Sequence, residues 1–206
     1  DNKFNLVALC DIDQKKLNSE DTVENIKKYL SLEEMLKNED LDVVSICTPS
    51  GYHSEHAKLI SKYNINVVTE KPMATNYNDA LNMINYCKNK NVKLYVVKQN
   101  RYNQTLIELK NAIDNNRFGK IKMISINVFW NRTQEYYDQD SWRGTWKLDG
   151  GALMNQASHY VDLMTWLNGK IKSVSAIDST SLKIEAEDTI ALNMKFDNLA
   201  VGSMSV

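Results

Sequence analysis

The chain has 206 residues, 43% of them hydrophobic and 25% charged, with a formal net charge of -1. Such a composition packs one large or two small globular domains. It excludes a broad nucleic-acid footprint, which needs a basic block, and a spanning helix, which needs an apolar run of about 18 residues. Cys10, Cys47 and Cys87 are odd in number and widely spaced. They read as reduced core thiols of a cytoplasmic protein, with neither a disulfide framework nor a metal site.

Four apolar runs rich in valine come first: Phe4 to Asp11, Leu41 to Ser50, Ile65 to Pro72 and Val92 to Arg101. Near-continuous runs of this kind predict strands buried on both faces. Helices are predicted between them over Ser54 to Tyr63 and Asn78 to Lys90. In the second, Ala80, Leu81, Ile84 and Cys87 form one stripe, and Asn76 and Asp79 suit a helix start. Alternating strands and helices imply right-handed crossovers and a parallel sheet. The pattern then changes. A helix is predicted over Thr105 to Asn115, with Leu106, Leu109 and Ile113 inward. Two alternating stretches follow, with Ile124, Ile126, Val128 and Trp130 on one face, then Ile190, Leu192, Met194 and Phe196. Asp197-Asn198 reads as a hairpin turn. Alternation predicts a mostly antiparallel open sheet. The fold class is therefore α/β: a Rossmann-type unit over residues 1–100, then an α+β substrate or oligomerisation unit over 101–206.

A dinucleotide fold normally starts with a strand, a G-x-G-x-x-G turn and a helix. Here the first run already ends in Asp11, the acid that belongs after the second strand, and no glycine precedes Gly51. The sequence is therefore expected to be part of a longer polypeptide that supplies the first strand and glycine loop, and to stop within a strand at its other end.

Four strand ends carry polar residues. Asp11 suits the ribose hydroxyls of NAD and would repel the 2′-phosphate of NADP, although a helix-capping role fits it too. "CTPSGYH" (Cys47 to His53) reads as a tight turn into a helix, with His53 either a site residue or a surface histidine. "EKPMA" (Glu70 to Ala74) and "KQNRYN" (Lys98 to Asn103) place Glu70, Lys71, Gln99 and Arg101 at the same sheet edge, where parallel strands present a ligand crevice. Further on, Gly150-Gly151 open a helix that Gly169 closes. Its apolar stripe is Leu153, Ala157, Tyr160, Val161 and Met164. Asn155, His159, Asp162 and Trp166 share the neighbouring face. The run Asn131 to Asp149 has no period and is rich in aromatics, so it reads as a loop over the cleft or a subunit-contact loop.

"EKPMA" followed by "GGALMNQASHYVDLM" resembles the glucose-fructose oxidoreductase / inositol dehydrogenase / MocA (Gfo/Idh/MocA) family. With "CTPSGYH", "VVKQNRYN" and "YYDQDSWRGTWKLDGGALMNQASHYVDL", the chain is similar to the branch that oxidises the 3-hydroxyl of UDP-N-acetyl-2-amino-2-deoxyglucuronate (UDP-GlcNAcA) for surface polysaccharide. The resemblance implies Lys71 and His159 as catalytic residues. Asn155 stands where many relatives carry Asp, as in the nucleotide-sugar branch, which argues against an Asp–His dyad. It implies NAD contacts at Asp11, Cys47, Thr48, Pro49, Ser50, His53, Glu70, Lys71 and Gln99, with Trp142 and Arg143 reaching the nicotinamide end. Substrate contacts are expected at Lys71, Asn155 and His159. Arg101 and Arg143 are expected at its carboxylate or diphosphate, which guanidinium matches bidentately.

Oxidising a secondary alcohol requires a base for its proton, and Lys71 and His159 both remain candidates. Free-sugar or polyol dehydrogenase, NAD-dependent glycosidase and non-catalytic NAD-binding regulator are the alternatives. A homo-oligomer, dimer or tetramer, is expected through the open sheet. NADH either leaves each turn or is recycled in place by 2-oxoglutarate.

Overall fold

The computed structural model describes residues 4–19 and 26–206. The first half contains parallel strands. β1 (Ala8–Cys10) and β2 (Lys27–Tyr29) pair with each other, and β3 (Val43–Ile46), β4 (Asn66–Thr69) and β5 (Leu94–Val96) pair in that order. The helices α1 (Gln14–Ser19), α2 (Leu32–Asn38), α3 (His53–Lys62) and α4 (Tyr77–Asn89) alternate with them. Val67 and Ile46 meet Ala57 and Ile60 of α3 and Met83 and Cys87 of α4 in one core, and this burial fixes the sheet. Asn76 caps α4, its side chain accepting the Asp79 N–H at 2.9 Å.

In the second half, α5 (Gln104–Asp114) and the short α6 (Gln134–Asp138) accompany a four-stranded sheet in the order β6-β9-β8-β7, from β6 (Met123–Asn127), β7 (Ile171–Ser179), β8 (Thr189–Phe196) and β9 (Val201–Ser205). β7–β8 and β8–β9 are antiparallel, whereas β6–β9 is parallel. On β8 Ile190, Leu192, Met194 and Phe196 are buried and their neighbours exposed, the expected alternation. Against this face packs a π-helical turn, Ala152–Gln156, continued by α7 (Ser158–Asn168), through Leu153, Ala157, Tyr160, Val161 and Met164. Gly169 ends α7.

Two helix faces differ from the sequence reading. On α4 Leu81 and Ile84 are 37% and 42% exposed, while Met83 is fully buried. Ala80, Met83 and Cys87 form an equally good i, i+3, i+7 row, and it is this row that faces α3. On α5 Leu109 is exposed, and Leu106, Ile107 and Ile113 are half-buried. The strands β2 and β7 carry no clear signal, β7 because nearly every side chain along it is exposed. In contrast, α2 opens on a Ser31-x-x-Glu34 start, the Ser31 side chain accepting the Glu34 N–H at 3.4 Å, which the sequence reading passes over.

Candidate active site between the two halves

Because β3, β4 and β5 are parallel, their carboxyl ends open on one edge, and the turns after them carry Cys47–Ser50, Glu70–Pro72 and Lys98–Arg101. The face of the π-turn and α7 lies against that edge. Three polar contacts cross the gap. Lys71 Nζ donates to the carbonyl oxygen of Asn155 at 2.8 Å and to its Oδ1 at 3.0 Å. Gln99 Nε2 lies 3.1 Å from His159 Nε2. Arg101 makes a bidentate pair with Asp162, at 2.7 Å from Nε and 2.6 Å from Nη2, and sits 5.5 Å over the Trp166 ring. The shared helix face expected from sequence is thus the one that meets the nucleotide-binding half, residue for residue. Further contacts hold the halves together: Gly51 N–H donates to Leu148 O at 3.0 Å, and the Thr75 hydroxyl donates to Lys147 O at 3.1 Å.

Electrostatics favour chemistry at this seam. Burial pushes the Lys71 amine below its ordinary value, and Lys98 pushes the same way, while Glu70 and Asp149 oppose the shift. Burial, followed by the cations Lys71 and Lys98, holds the His159 imidazole below its usual range. At neutral pH the ring is therefore neutral, and with the Gln99 amide donating, Nε2 keeps the acceptor character a base needs. His159 Nδ1 is buried without a hydrogen-bond partner.

Behind Asn155 stands Asp149, 2% exposed. Its Oδ1 accepts from Asn155 Nδ2, and its Oδ2 accepts the Gly144 N–H at 2.7 Å. Sequence reading misses this residue, since an Asp before a glycine pair reads as an ordinary turn. Lys98, beside Asp162 at 3.9 Å, is a second addition.

The expected cofactor residues divide into two sets. Cys47, Thr48 and Gln99 are exposed and Pro49, Glu70 and Lys71 half-buried, all at the carboxyl edge of β3, β4 and β5, while Asp11, half-buried, follows β1 of the two-stranded sheet. Asp11 Oδ1 accepts the Asp13 N–H at 2.8 Å in the turn before α1, and it is Asp13 whose carboxylate accepts from inside the helix, at the Lys15 N–H, 2.8 Å. A carboxylate, a hydroxyl and an amide along this edge fit the ribose and amide groups of NAD. Ser50 is 5% exposed and His53 0%. A direct cofactor contact at His53 is corrected by this burial: its Nδ1 is 2.7 Å from Pro72 O and its Nε2 2.8 Å from Thr48 O. His53 instead ties the turn after β3 to the turn bearing Lys71. His53→Ala would strand the buried Pro72 carbonyl and leave a void, and is expected to lower unfolding stability by about 3 kcal/mol. The midpoint of denaturant unfolding measures this, and an unchanged midpoint would refute the tie.

Trp142 and Arg143 lie in the loop that leads to Asp149. The Arg143 guanidinium rests 4.3 Å over Tyr136 and 5.0 Å over Trp142, with its Nε 3.1 Å from Asp140. The same loop contains α6, whose Tyr137 is buried. Arg143, Asp140 and Lys183 line a cavity of about 540 Å³ that does not include Lys71 or His159. Arg101 has its fork engaged by Asp162, so the structure places it in the seam between the halves. No cluster of three or more metal-ligating side chains occurs among the described residues.

A parallel-sheet edge faced by a lysine, an amide and a histidine fits a dinucleotide-dependent site. Residues 1–98 match the oxidoreductase family's NAD-binding Rossmann fold, and residues 106–206 match the GFO/IDH/MocA C-terminal domain. The chain belongs to the Gfo/Idh/MocA family. It is 45% identical to the WlbA dehydrogenase of Bordetella pertussis, solved with NADH and UDP-GlcNAcA, at a TM-score of 0.94 over 97% of this chain and 63% of that one. The WlbA dehydrogenase of Chromobacterium violaceum, also solved with NADH and UDP-GlcNAcA, is 47% identical at a TM-score of 0.94, over 97% of this chain and 58% of that one. Myo-inositol 2-dehydrogenase of Thermotoga maritima is 24% identical over 96% of this chain and 59% of its own length. The chain thus spans less than two thirds of each of these relatives.

Proposed function

We propose that the full-length protein oxidises the 3-hydroxyl of UDP-GlcNAcA to the 3-keto sugar, with NAD accepting the hydride when bound. The observation that carries this reading is the meeting of Lys71, Asn155, Gln99 and His159 across the seam. The likeness to two dehydrogenases solved with that nucleotide sugar supports the choice of substrate. His159 takes the hydroxyl proton on Nε2, once the substrate displaces the Gln99 amide. Lys71, as an ammonium, donates to the same oxygen and stabilises the developing alkoxide. Asn155 holds that ammonium in place. Arg143, on the loop beside the seam, is the candidate for the substrate's anionic groups. No helix among the described residues is long and apolar enough to cross a membrane. With three free cysteines, a cytoplasmic enzyme in surface-polysaccharide sugar synthesis is the setting proposed. The outer face of the sheet, with Ile177 81%, Met123 62% and Val201 49% exposed, is proposed to pair with another copy.

Incubating full-length protein and NAD with UDP-GlcNAcA, myo-inositol or glucose, with and without 2-oxoglutarate, tests the reading through NADH absorbance. Signal with the UDP-sugar alone supports it. Signal only with the polyol favours the reading suggested by the inositol dehydrogenase, and release of a free sugar would favour a glycosidase. Bound NAD without turnover would favour a regulator.

The pH profile has a definite sign. His159 must be neutral, and its pKa is lowered, so activity falls only when pH drops through that lowered value. The acid limb of kcat/KM is expected below about pH 6.5, the unperturbed histidine value. Lys98→Met, which removes a neighbouring cation, should move that limb upward. A limb above 6.5 that ignores Lys98→Met would remove His159 as the base.

A further inference from the structure

We infer that Asp149 is a positioning residue for Lys71, acting through the side-chain amide of Asn155. This inference rests on the catalytic site described above.

A side-chain amide has two unlike ends. Asn155 presents Oδ1 to Lys71 Nζ at 3.0 Å and Nδ2 to Asp149 Oδ1. An amide flipped the other way would aim N–H at an ammonium and a carbonyl at a carboxylate, and both contacts would be repulsive. The Asp149 carboxylate therefore fixes which way the amide points. Asp149 is itself held, because Gly144 N–H occupies its other oxygen at 2.7 Å. At 2% exposure it has little access to water, so a buried carboxylate is coupled to a half-buried ammonium through one amide. Burial lowers the Lys71 pKa and Lys98 adds to that, while Glu70 and then Asp149 raise it in opposition. The negative charge opposite Lys71 has moved one residue outward, and Asn155 passes its orientation inward.

The same geometry supplies a test. In Asp149→Asn the new side chain can still accept the Gly144 N–H, but its own amide N–H then faces the N–H of Asn155. Asn155 must flip or withdraw, and Lys71 loses its acceptor. In the double variant Asp149→Asn/Asn155→Asp the chain of donors and acceptors closes again. The amide introduced at position 149 accepts from Gly144 and donates to the carboxylate introduced at position 155, and that carboxylate accepts from Lys71.

The full-length protein is made in three forms: parent, single and double. The titration of Lys71 is followed by NMR of ε-carbon-labelled lysine, and the pH profile of kcat is recorded. The single variant is expected to lower the Lys71 midpoint by about one pH unit, as loss of a nearby opposite charge does. Its kcat is expected to drop about 10-fold or more through misplacement of the amine, with KM for NAD unchanged. The alkaline limb of kcat should move down with the Lys71 midpoint. The double variant is expected to restore midpoint, limb and most of kcat. An unmoved midpoint in the single variant overturns the inference. So does a double variant as impaired as the single, or unfolding of both variants, because Asp149 would then act only as a fold element at Gly144. If the single variant unfolds and the double folds with a parental midpoint, the inference stands. The NMR titration needs no substrate, so parent protein that turns over no UDP-sugar counts against the proposed function and leaves this test intact.

Discussion

Lys71→Ala is expected to lower kcat by about 10²-fold or more, with little change in affinity for NAD. The amine follows β4 into the cis Lys71–Pro72 turn and reaches across to two oxygens of Asn155, at 2.8 and 3.0 Å. Both acceptors belong to the second half, so the side chain does its work in the seam between the halves. Removing it takes away the only cation that touches Asn155 among the described residues. It also leaves Asp149, 2% exposed, without the charge it balances. The loss therefore falls on the transition state, where the alkoxide needs a fixed donor, and is typical of removing a general acid or electrostatic partner. His159→Ala is expected to match it if Nε2 takes the proton as proposed. Steady-state rates on NAD and UDP-GlcNAcA measure both. Turnover near the parent's in both variants would remove the mechanism.

Gly151→Ala is expected to be the most damaging substitution outside the reacting groups. Gly151 has φ 88° and ψ 177°, a region open essentially to glycine alone, so any side chain costs about 1–3 kcal/mol. A Cβ there would also run into the carboxylate of Glu187. That carboxylate is 3% exposed, and burial pushes its pKa up. It cannot simply move aside. Its Oε1 accepts the Leu153 N–H at 2.9 Å, and its main-chain oxygen accepts the Ala152 N–H at 3.0 Å. These bonds seat the first turn of the π-helix, which no preceding turn can satisfy. Displacing Glu187 strands them and adds about 1–3 kcal/mol more. The expected total is about 3–5 kcal/mol of lost stability, read from denaturant unfolding. Because Asn155 sits in the turn that shifts, folded variant should also lose about 10²-fold in kcat, as small misplacements do. A stable Gly151→Ala protein with parental rates would contradict the proposed seating.

Much of the fold follows directly from local pattern. The valine run at Asn66–Thr69 is a parallel strand covered on both faces, whereas Val43–Ile46, also expected to be buried on both, leaves Val43 and Ser45 exposed on one. The strict alternation on β8 is a half-buried strand because only one face is covered. Where two rows of apolar residues fit one helix, spacing alone cannot choose, and α4 buries Met83 where Leu81 and Ile84 are equally apolar. β7 is silent because almost none of its side chains is buried in this chain. At the site, Lys71, Asn155, Gln99, His159 and Arg101 are legible, since polar residues at several strand ends and on one helix face have no use in a core. Asp149 and the tie made by His53 are not. His53 acts on Pro72 across 19 positions, and Asp149, only 5 and 6 residues from Gly144 and Asn155, meets them through an aperiodic turn that no spacing rule reads. Only the folded chain brings those together.

The most direct measurement is a structure of the full-length protein with NADH and UDP-GlcNAcA bound. The sugar 3-hydroxyl oxygen is expected within hydrogen-bond reach, about 2.6–3.2 Å, of both Lys71 Nζ and His159 Nε2, with Gln99 displaced from the ring. A sugar whose 3-hydroxyl meets neither group, with His159 still held by Gln99, would contradict the account.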